Sequence, residues 1–292
     1  MRRLWIPLAV TAMACASDGV RGPGAEQGET DVGARAHPGS FSILTYNVAG
    51  LPQGLSSANP ERYVPQISPL LNGYDLVVVQ EDFWYHAELA AEATHPYRSA
   101  PWSDRPSLLD IGDGLNRFSR FPFENHDRTG WGDCNGMTDC ASDCLASKGW
   151  SFARHTVTSG VEIDVYNLHM EAGRCDRDEE IRSNSVDGLV AAIRERSANR
   201  AVVVAGDFNL HVGRPTDREV YRRLLDGARL TDACWSLSCG STSIDRVLVR
   251  SGETVYLEAT AWWRPGEFVD AEDGSHLSDH RPTAVTIEYT PR

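Results

Sequence analysis

The stretch Ala201–Asn209, AVVVAGDFN, places small and β-branched apolar residues directly before a glycine and a polar end. Its apolar part, Ala201 to Ala205, predicts a strand that is buried on both faces. Gly206 allows the backbone to turn sharply, and residues i and i+2 of an extended chain face the same side. Asp207 and Asn209 are therefore expected to direct oxygen atoms at one cation. Taken alone, the pair would suit an ordinary Asn/Asp turn equally well.

Further apolar runs predict more strands. They are Phe41 to Val48, Leu76 to Val79, Val161 to Leu168, Asp245 to Val249 and the partly alternating Pro282 to Tyr289. Helical periodicity lies between several of them, and strands interleaved with helices indicate an α/β domain.

The helical patterns differ in strength. The segment 178–197 and a shorter one around Val220 to Leu225 predict helices, because their apolar residues recur at helical spacing. Two prolines weigh against a helix over 61–71. The segment 101–150 has no clear periodicity and is expected to consist mostly of loops over the site.

The first residues predict a targeting segment. Two arginines form a basic start, and the apolar stretch Leu4 to Ala14 is too short to span a bilayer. Small residues before Cys15 form a cleavage signal typical of bacterial lipoproteins, although Ala12 stands where such signals usually have leucine. We therefore expect a signal peptide over 1–14 and an exported protein, either an outer-membrane or surface lipoprotein or a secreted protein.

Composition changes once, near residue 40. Residues 15–39 are rich in Gly, Glu, Asp and Ala and contain almost no large apolar side chains. This composition predicts a flexible tether. One folded domain is expected to follow over 40–292, with its first strand starting near Phe41.

The cysteines are best explained by export. The chain has seven, and without Cys15 an even number remains, which indicates disulfides in an exported protein. Cys234 and Cys239 close a short loop and are predicted to pair. The lack of a Cys-x2-Cys pair weighs against zinc. The remaining cysteines allow three pairings among themselves: Cys134, Cys140, Cys144 and Cys175.

The net charge is strongly negative. It is −13 for the whole chain, and cleavage after residue 14 removes two arginines and no acid, which gives −15. An acidic surface disfavours loose attraction to phosphate backbones, although a bound metal ion can reverse the field at one site. Nucleic acid is therefore the less favoured partner. No pattern indicates a protein partner, so a monomer is expected.

Other polar residues stand at the ends of predicted strands. Glu81 follows the run Leu76 to Val79, and a carboxylate ending a buried strand is unfavourable unless it is paired or bound to a metal. Asn47 ends the first strand and offers a neutral oxygen. Oxygen ligands without a His/Cys cluster favour Mg2+, or another hard divalent cation such as Mn2+, over zinc.

Histidines and acids accompany the last strands. Asp279 and His280 precede the final strand, and Asp245 begins another. An Asp that holds one ring nitrogen of a His leaves the other nitrogen free to take a proton from water. A single such His is more often structural, but His169 at the end of a further strand makes that explanation less favoured.

Taken in chain order, these motifs resemble those of the endonuclease/exonuclease/phosphatase superfamily from about residue 41 to 289. Each motif is weak alone, but the ordered set is specific. The resemblance implies a deoxyribonuclease-like four-layer αββα fold, in which a two-layered β-sandwich is flanked by helices. The motifs are Tyr46-Asn47-Val48, Gln80-Glu81, Ser119-Arg120-Phe121-Pro122, Asn167-Leu168-His169, Gly206-Asp207-Phe208-Asn209, Ser243-Ile244-Asp245-Arg246 and Ser278-Asp279-His280.

The resemblance also implies how a phosphodiester would be cleaved. His280 would be the general base, oriented by Asp245, while water attacks phosphorus in line. His169 would stabilise the phosphate or assist the leaving group.

A metal site is implied as well. Mg2+ would lie near Asn47 and Glu81, and Asp207 and Asn209 would lie close to the ion and the reacting phosphate. Asp279 would help to position the metal or the water.

Within the superfamily, details resemble the bacterial type of neutral sphingomyelinase. Gln80-Glu81-Asp82-Phe83 is similar to their Gln-Glu-x-Phe, and Lys148-Gly149 is similar to a Lys-Gly before a strand. Cys144 and Cys175 flank that region as a disulfide does in such enzymes. The loop 131–144 has no counterpart that we can place. The resemblance implies a membrane phospholipid as substrate, with Lys148 and Phe83 contacting it.

One hypothesis is therefore phospholipase C-type cleavage of sphingomyelin or a related lipid. Trp262 and Trp263 are expected on a loop that could enter the membrane interface, and Phe83 could line a lipid-facing cleft. Equally well, one tryptophan could face the core while the other covers a surface, and Phe83 could simply pack against its neighbours.

The alternative is an exported Mg-dependent endonuclease. Asp245-Arg246-Val247 is similar to a stretch of secreted deoxyribonucleases, and Arg222, Arg223 and Arg246 hint at a basic groove. A third hypothesis, a lipid-tethered binding protein without activity, would require missing catalytic groups, and none of the matched positions is lost.

Overall fold

The computed structural model describes residues 37–103, 111–136, 144 and 146–292. The expected signal peptide and the expected tether up to residue 36 lie outside the described residues. The first strand begins at Gly39, two residues earlier than expected. Within the described residues, no helix is both long and apolar enough to cross a membrane.

The described chain contains strands and helices in alternation. Its helices are α1 Pro60–Leu70, α2 His86–Ala90, α3 Asp176–Arg196, α4 Pro215–Ala228 and α5 Ala233–Ser236, with a 3-10 turn at Leu71–Gly73. Its strands are β1 Gly39–Asn47, β2 Leu76–Gln80, β3 Tyr97–Arg98, β4 Asn116–Ser119, β5 Phe123–Gly130, β6 Gly149–Thr158, β7 Val161–His169, β8 Ala201–Asp207, β9 Thr231–Asp232, β10 Asp245–Arg250, β11 Val255–Trp263 and β12 Thr283–Pro291.

These strands form two mixed sheets of six. The first has the order β11-β12-β1-β2-β4-β3 and the second β5-β6-β7-β8-β10-β9. Each sheet has a parallel pair at its centre, β1 with β2 and β7 with β8, and antiparallel neighbours on both sides. The carboxyl ends of parallel strands lie at the same edge of a sheet, so each central pair brings the carboxyl ends of its two strands together.

Three apolar clusters hold four layers together. One lies between the sheets and includes Ile43 and Val203. A second packs α3 and α4 on the outer face of the second sheet, and a third packs α1 on the outer face of the first. Burying each of the many Val, Leu and Ile side chains contributes about 1.5–3 kcal/mol. The expected two-layered β-sandwich flanked by helices is confirmed.

Two weaker expectations about secondary structure can be compared with the structure. The segment 61–71, a poor helix prediction because of its prolines, is helical nearly throughout, because Val64 and Ile67 are buried in the third cluster. The segment 101–150 is mostly loop over its described part, as expected, although it also contains the short strand β4 and the longer β5.

The disulfides agree in part with expectation. Cys234 pairs with Cys239, as predicted. Cys144 pairs with Cys134, so the implied bond from Cys144 to Cys175 was wrong. Cys175 is itself disulfide-bonded. The loop 131–144, which has no counterpart among the resembled enzymes, is thus closed by a bond of its own.

Gly206 is required for β8 to approach β7. Its φ of 149° is unfavourable for other residues, and a Cβ there would lie 2.0 Å from the carbonyl oxygen of Leu168. We expect Gly206→Ala to lower the free energy of unfolding by roughly 3 kcal/mol or more, as measured by urea denaturation.

Gly188 provides the matched control. It lies in α3, and a Cβ at this position would have nothing within 4 Å of it. Gly188→Ala should therefore stabilise the protein by about 0.5–1 kcal/mol. Equal effects of the two substitutions would contradict the role of Gly206.

Candidate active site

The polar ends of the two parallel pairs meet on one side of the sandwich. Asn47 and Gln80 are the last residues of β1 and β2, and His169 and Asp207 are the last residues of β7 and β8. Asp245 begins the neighbouring β10, opposite Asp207. Motifs that are far apart in the chain therefore converge because the topology places all these strand ends at one edge.

A buried acidic centre lies between the sheets at this edge. The side-chain nitrogen of Asn47 donates to Glu81 Oε1 at 2.9 Å and to Asp207 Oδ2 at 3.3 Å. Asn47 and Asp207 are each 1% exposed, and the Glu81 side chain is 23% exposed. Burial raises the pKa of Glu81 and also that of Asp207, and the charges of Lys148 and His280 oppose this rise. Two neighbouring carboxylates with a partly buried, oxygen-rich surrounding suit a hard divalent ion.

His280 and Asp245 form the second part of the centre. His280 Nδ1 lies 3.0 Å and 3.1 Å from the two Asp245 carboxylate oxygens, and Nε2 lies 3.7 Å from Asp207 Oδ2. Burial lowers the pKa of His280, but the charges of Asp245 and Asp207 outweigh it and raise that pKa to about 10. The geometry leaves Nε2 directed into the site.

Ligand atoms of Asp207, Asp245 and His280 all lie within 4.8 Å of one another. Both oxygens of Asp245 are engaged by His280 Nδ1, so Glu81 and Asp207, with Asn47 between them, are the residues that could hold a cation.

His169 lies on the other side of Asp207. Its Nε2 is 3.5 Å from Asp207 Oδ2 and 3.9 Å from Glu81 Oε1. Burial lowers the pKa of His169 well below the ordinary value, and the charges of Lys148 and His280 add to the effect. Its Nδ1 is buried without a hydrogen-bond partner among the described residues. A neutral ring in this position can donate a hydrogen bond to a bound phosphate.

Asn209 reaches the site by a different route from the one expected. Its φ is 49°, so Asp207 and Asn209 do not lie on one extended strand. Instead, the Asn209 backbone N–H donates to Asp207 at 3.0 Å, and its side chain donates to the Met170 carbonyl at 2.9 Å. Phe208 between them is fully buried, and this anchors the turn.

Asp279 lies at the rim of the site. It is exposed, and its carboxylate accepts a hydrogen bond from Ser57 Oγ. Next to it, Ser278 Oγ donates to the Asn47 carbonyl at 2.7 Å and accepts from the His280 N–H at 3.1 Å. This link joins the base to the acidic centre, and sequence reasoning assigned Ser278 no role of its own.

A cavity of about 560 Å³ opens above these residues. Lys148 and Phe83 line it, as expected for groups that contact the substrate. Apolar residues that sequence reasoning missed also line the cavity; they are Leu51, Pro52, Leu55, Ile111, Ala146 and Ala172. They come from four separate segments of the chain, so no periodic pattern marked them.

The expectation for the two tryptophans was wrong. Trp262 and Trp263 lie in β11, paired with Val285 and Ala284 of β12, rather than on a loop. Trp262 packs against the cluster between the sheets, and Trp263 stacks on Tyr74 at a centroid distance of 6.3 Å. Neither lines the cavity, so they belong to the core packing of an edge strand.

A hydrogen-bonded layer beneath the site was also missed. Gln80 donates to Asn167 at 2.7 Å, and Asn167 donates to the Val79 and Asn116 carbonyls. These bonds join β2 and β4 to β7 across the sandwich. Because the groups satisfy each other without water, they fix the two sheets relative to each other below the acidic centre.

His86 supports the segment that follows Glu81. Its Nδ1 lies 2.6 Å from Asp82 Oδ2, which also accepts from Asn116 at 2.7 Å. Burial lowers the pKa of His86, but the hydrogen bond to Asp82 and its charge outweigh it, so the net shift is upward.

This shift predicts a pH-dependent stability. The pKa of His86 is higher in the folded state than in the unfolded state. The interaction of His86 with Asp82 therefore contributes fully to the free energy of unfolding below about pH 6.5, and this contribution is lost as the pH rises through the folded-state pKa. His86→Gln should therefore lower the free energy of unfolding by about 1 kcal/mol more at pH 6 than at pH 9. Urea denaturation at both pH values measures this difference, and a larger loss at pH 9 would contradict it.

Comparisons with known proteins identify the family of this chain. The Endonuclease/Exonuclease/phosphatase family matches residues 44–280. A sphingomyelinase of Mycobacterium bovis is 33% identical over 273 residues, covering 86% of this chain and 53% of that protein. A sphingomyelinase of Mycobacterium tuberculosis matches to the same extent. The chain thus spans about half the length of the curated relatives it matches.

Solved structures share the fold at low sequence identity. Sphingomyelinase C from Streptomyces griseocarneus has a TM-score of 0.61 and 19% identity, covering 85% of this chain and 99% of that one. A beta toxin mutant from Staphylococcus aureus with bound magnesium ions has a TM-score of 0.58 and 15% identity, covering 85% and 99%. D. rerio TDP2, complexed with a single strand DNA product, has a TM-score of 0.62 and 17% identity, covering 85% and 98%.

Proposed function

Because this chain belongs to the Endonuclease/Exonuclease/phosphatase family, we propose that it is a metal-dependent phosphodiesterase that hydrolyses the head group of sphingomyelin or a related phospholipid. The observation that carries this proposal is the His280–Asp245 pair, which faces a buried acidic centre at the base of a cavity partly lined by apolar residues. Similarity to mycobacterial sphingomyelinases supports the choice of substrate.

The proposed reaction uses His280 as the base. Asp245 holds Nδ1, and a cation bound at the acidic centre would offset the Asp207 charge that helps to raise the pKa of His280. Nε2 would then be free to take a proton from the water that attacks phosphorus in line. On the other side of Asp207, the neutral ring of His169 can donate a hydrogen bond to the phosphate or to the leaving oxygen, which would take its proton from solvent water. Lys148 lines the same cavity and would bind the phosphate by charge.

Glu81, Asn47 and Asp207 would hold a Mg2+ or Mn2+ ion, with Asn209 and Asp279 close by. Bound there, the ion would lower the pKa of a coordinated water and offset the negative charges of the phosphate and of Asp207. The magnesium ions in the beta toxin structure support this choice of cation.

Exposed apolar side chains at the cavity mouth support a lipid substrate. Leu55 is 60% exposed and lines the cavity. Trp84 follows the cavity residue Phe83, and Trp102 lies against Gly112, next to the cavity residue Ile111. Large apolar groups that remain in water around a catalytic cavity suit contact with a membrane interface.

The endonuclease alternative has less support. Of the three arginines that hinted at a basic groove, Arg246 is buried and pairs with Asp232 at 2.6 Å, and Arg223 pairs with Asp187 at 2.9 Å. Neither leaves its charge available to a nucleic acid backbone. Because the TDP2 structure of similar fold contains a DNA product, plasmid DNA is the comparison substrate in the tests below.

Leu55 provides the test of the lipid substrate. We expect Leu55→Glu to lower turnover of sphingomyelin in vesicles about tenfold, because a charge is unfavourable at the membrane interface. The effect on a soluble chromogenic phosphocholine ester should be smaller. Equal losses on both substrates, or rapid cleavage of plasmid DNA by the unaltered protein, would contradict the lipid assignment.

Tyr97 provides the matched control. It is 41% exposed on β3, away from the cavity, so Tyr97→Glu adds the same charge at a distant exposed site. This variant should retain vesicle turnover.

We also propose that the protein acts outside the cytoplasm. The signal-peptide pattern over 1–14 and the disulfides of the described domain support this location.

A further inference from the structure

A second concave site lies at the end of the sandwich opposite the catalytic centre. Arg250 is the last residue of β10, whose first residue, Asp245, belongs to the catalytic centre. The strand separates the two positions by about 17 Å. The cavity here has a volume of about 390 Å³ and continues into a neighbouring depression that shares four of its residues.

Positive charge dominates this site, which we call the distal basin. Four arginines from different parts of the chain line it, against Glu253 as the one acid among its described lining residues. The protein as a whole carries a net charge of −13. A local excess of arginine therefore does not follow from the composition. The arginines of the distal basin are Arg194, Arg229, Arg250 and Arg292.

Arg250 forms the floor of the distal basin without a carboxylate partner. It is 8% exposed, and its guanidinium donates to the Ala228 carbonyl at 2.9 Å and to the Ser197 carbonyl. These carbonyls belong to the ends of α4 and α3, so helix C-termini orient the group. Burial lowers the pKa of Arg250, and repulsion by Arg229 adds to this effect. No acid among the described residues neutralises its charge directly.

Arg229 and Arg194 stand at the rim. Arg229 is exposed in the left-handed conformation that ends α4, and its side chain makes no hydrogen bond or ion pair with the described residues. Arg194 is exposed and donates from Nε to the Gly227 carbonyl at 2.7 Å, which leaves its terminal nitrogens for another acceptor. Both can therefore turn donors toward a bound group.

Elsewhere in the described chain, many arginines are neutralised by acids. Arg62 pairs with Asp270, Arg154 with Asp164, and Arg200 with Glu162. Guanidinium groups oriented by carbonyls but not paired with acids match the geometry of phosphate oxygens, which accept bidentate hydrogen bonds.

We propose that the distal basin binds a phosphate-bearing anion. The ligand is a soluble phosphate compound rather than an anionic lipid head group, because the basin and the catalytic cavity face opposite ends of the sandwich. A membrane that supplied substrate to the cavity could not reach the basin at the same time. Anion binding by the basin rests on different residues from the proposed function, whereas the choice of a soluble ligand over a lipid head group rests on that function.

Calorimetry with inorganic pyrophosphate and orthophosphate tests this proposal. The titration uses the purified full chain with EDTA present, so that no cation at the catalytic centre contributes. We expect saturable binding that Arg229→Glu and Arg194→Gln each weaken about tenfold. Both residues are exposed, so these variants should fold, which circular dichroism can verify.

Two matched variants identify the site. Arg222 is exposed on the same helix as Arg229, so Arg222→Glu makes the same change of charge outside the basin and should retain binding. Lys148→Met removes the cation of the catalytic cavity and should also retain it. Absence of saturable binding, or equal weakening by Arg222→Glu, would overturn the proposal. Binding to phosphatidic acid vesicles without binding to pyrophosphate would overturn the soluble ligand.

Discussion

His280→Ala is expected to lower turnover of the phosphodiester substrate by about a thousandfold or more, which is the contribution of a well-placed general base. The structure gives the reason: Asp245 holds Nδ1 at 3.0 Å, and Nε2 faces Asp207 and the cavity. The His280 side chain is only partly buried and lies outside the three apolar clusters, so the variant should remain folded. Initial rates on sphingomyelin vesicles and a circular dichroism spectrum measure both parts of the prediction.

Two further variants distinguish a base from a structural histidine. His276→Ala changes an exposed histidine four residues away and should leave turnover unchanged. Asp245→Asn removes the charge that raises the pKa of His280, so the acid limb of the kcat/KM profile should move to lower pH. Retained turnover in His280→Ala, or an unshifted profile in Asp245→Asn, would contradict the assignment of the base.

Asp207→Asn is expected to have an effect of similar size. The Asp207 carboxylate is buried, shares the Asn47 amide with Glu81, and lies near both histidines. Its loss would remove a proposed cation ligand and the negative charge between the two rings. We expect turnover to fall about a thousandfold, together with the heat of Mg2+ binding in calorimetry.

Asp279→Asn is the matched comparison. This carboxylate is exposed at the rim and bonded to Ser57, so the same change should reduce turnover only about tenfold. If Asp279→Asn abolished Mg2+ binding while Asp207→Asn retained it, the cation would lie at the rim rather than at the acidic centre.

The central strands and the two long helices could be predicted because their chemistry is simple. Ala201 to Ala205 is apolar throughout and is buried on both faces, and Glu81, His169 and Asp207 stand at the ends of such runs. A polar side chain at the end of a buried strand is unfavourable unless it is paired or bound to a metal, so these residues were candidates for a functional site. The ordered motifs indicated that the site cleaves phosphodiesters. That the ends of these strands lie close together in space could be expected only from the fold that the resemblance implied.

Tertiary packing decided what could not be predicted. β4 is buried but reads NRFS, because Arg117 bonds to Ser151 and the Val165 carbonyl between the sheets. α1 keeps its prolines because its other face is apolar and buried. Two adjacent tryptophans suggested a membrane-facing loop, but Trp262 and Trp263 pair with residues of β12 and so belong to a sheet. The apolar residues of the cavity come from separate segments, which a linear pattern cannot connect.

Phosphocholine release from sphingomyelin vesicles, measured with Mg2+ and then with EDTA, tests the central claim most directly. The proposed function predicts release with Mg2+, no release with EDTA, recovery when Mg2+ is restored, and no comparable cleavage of plasmid DNA. Folded protein that releases no phosphocholine in Mg2+, or that releases it equally in EDTA, would contradict a metal-dependent sphingomyelin phosphodiesterase.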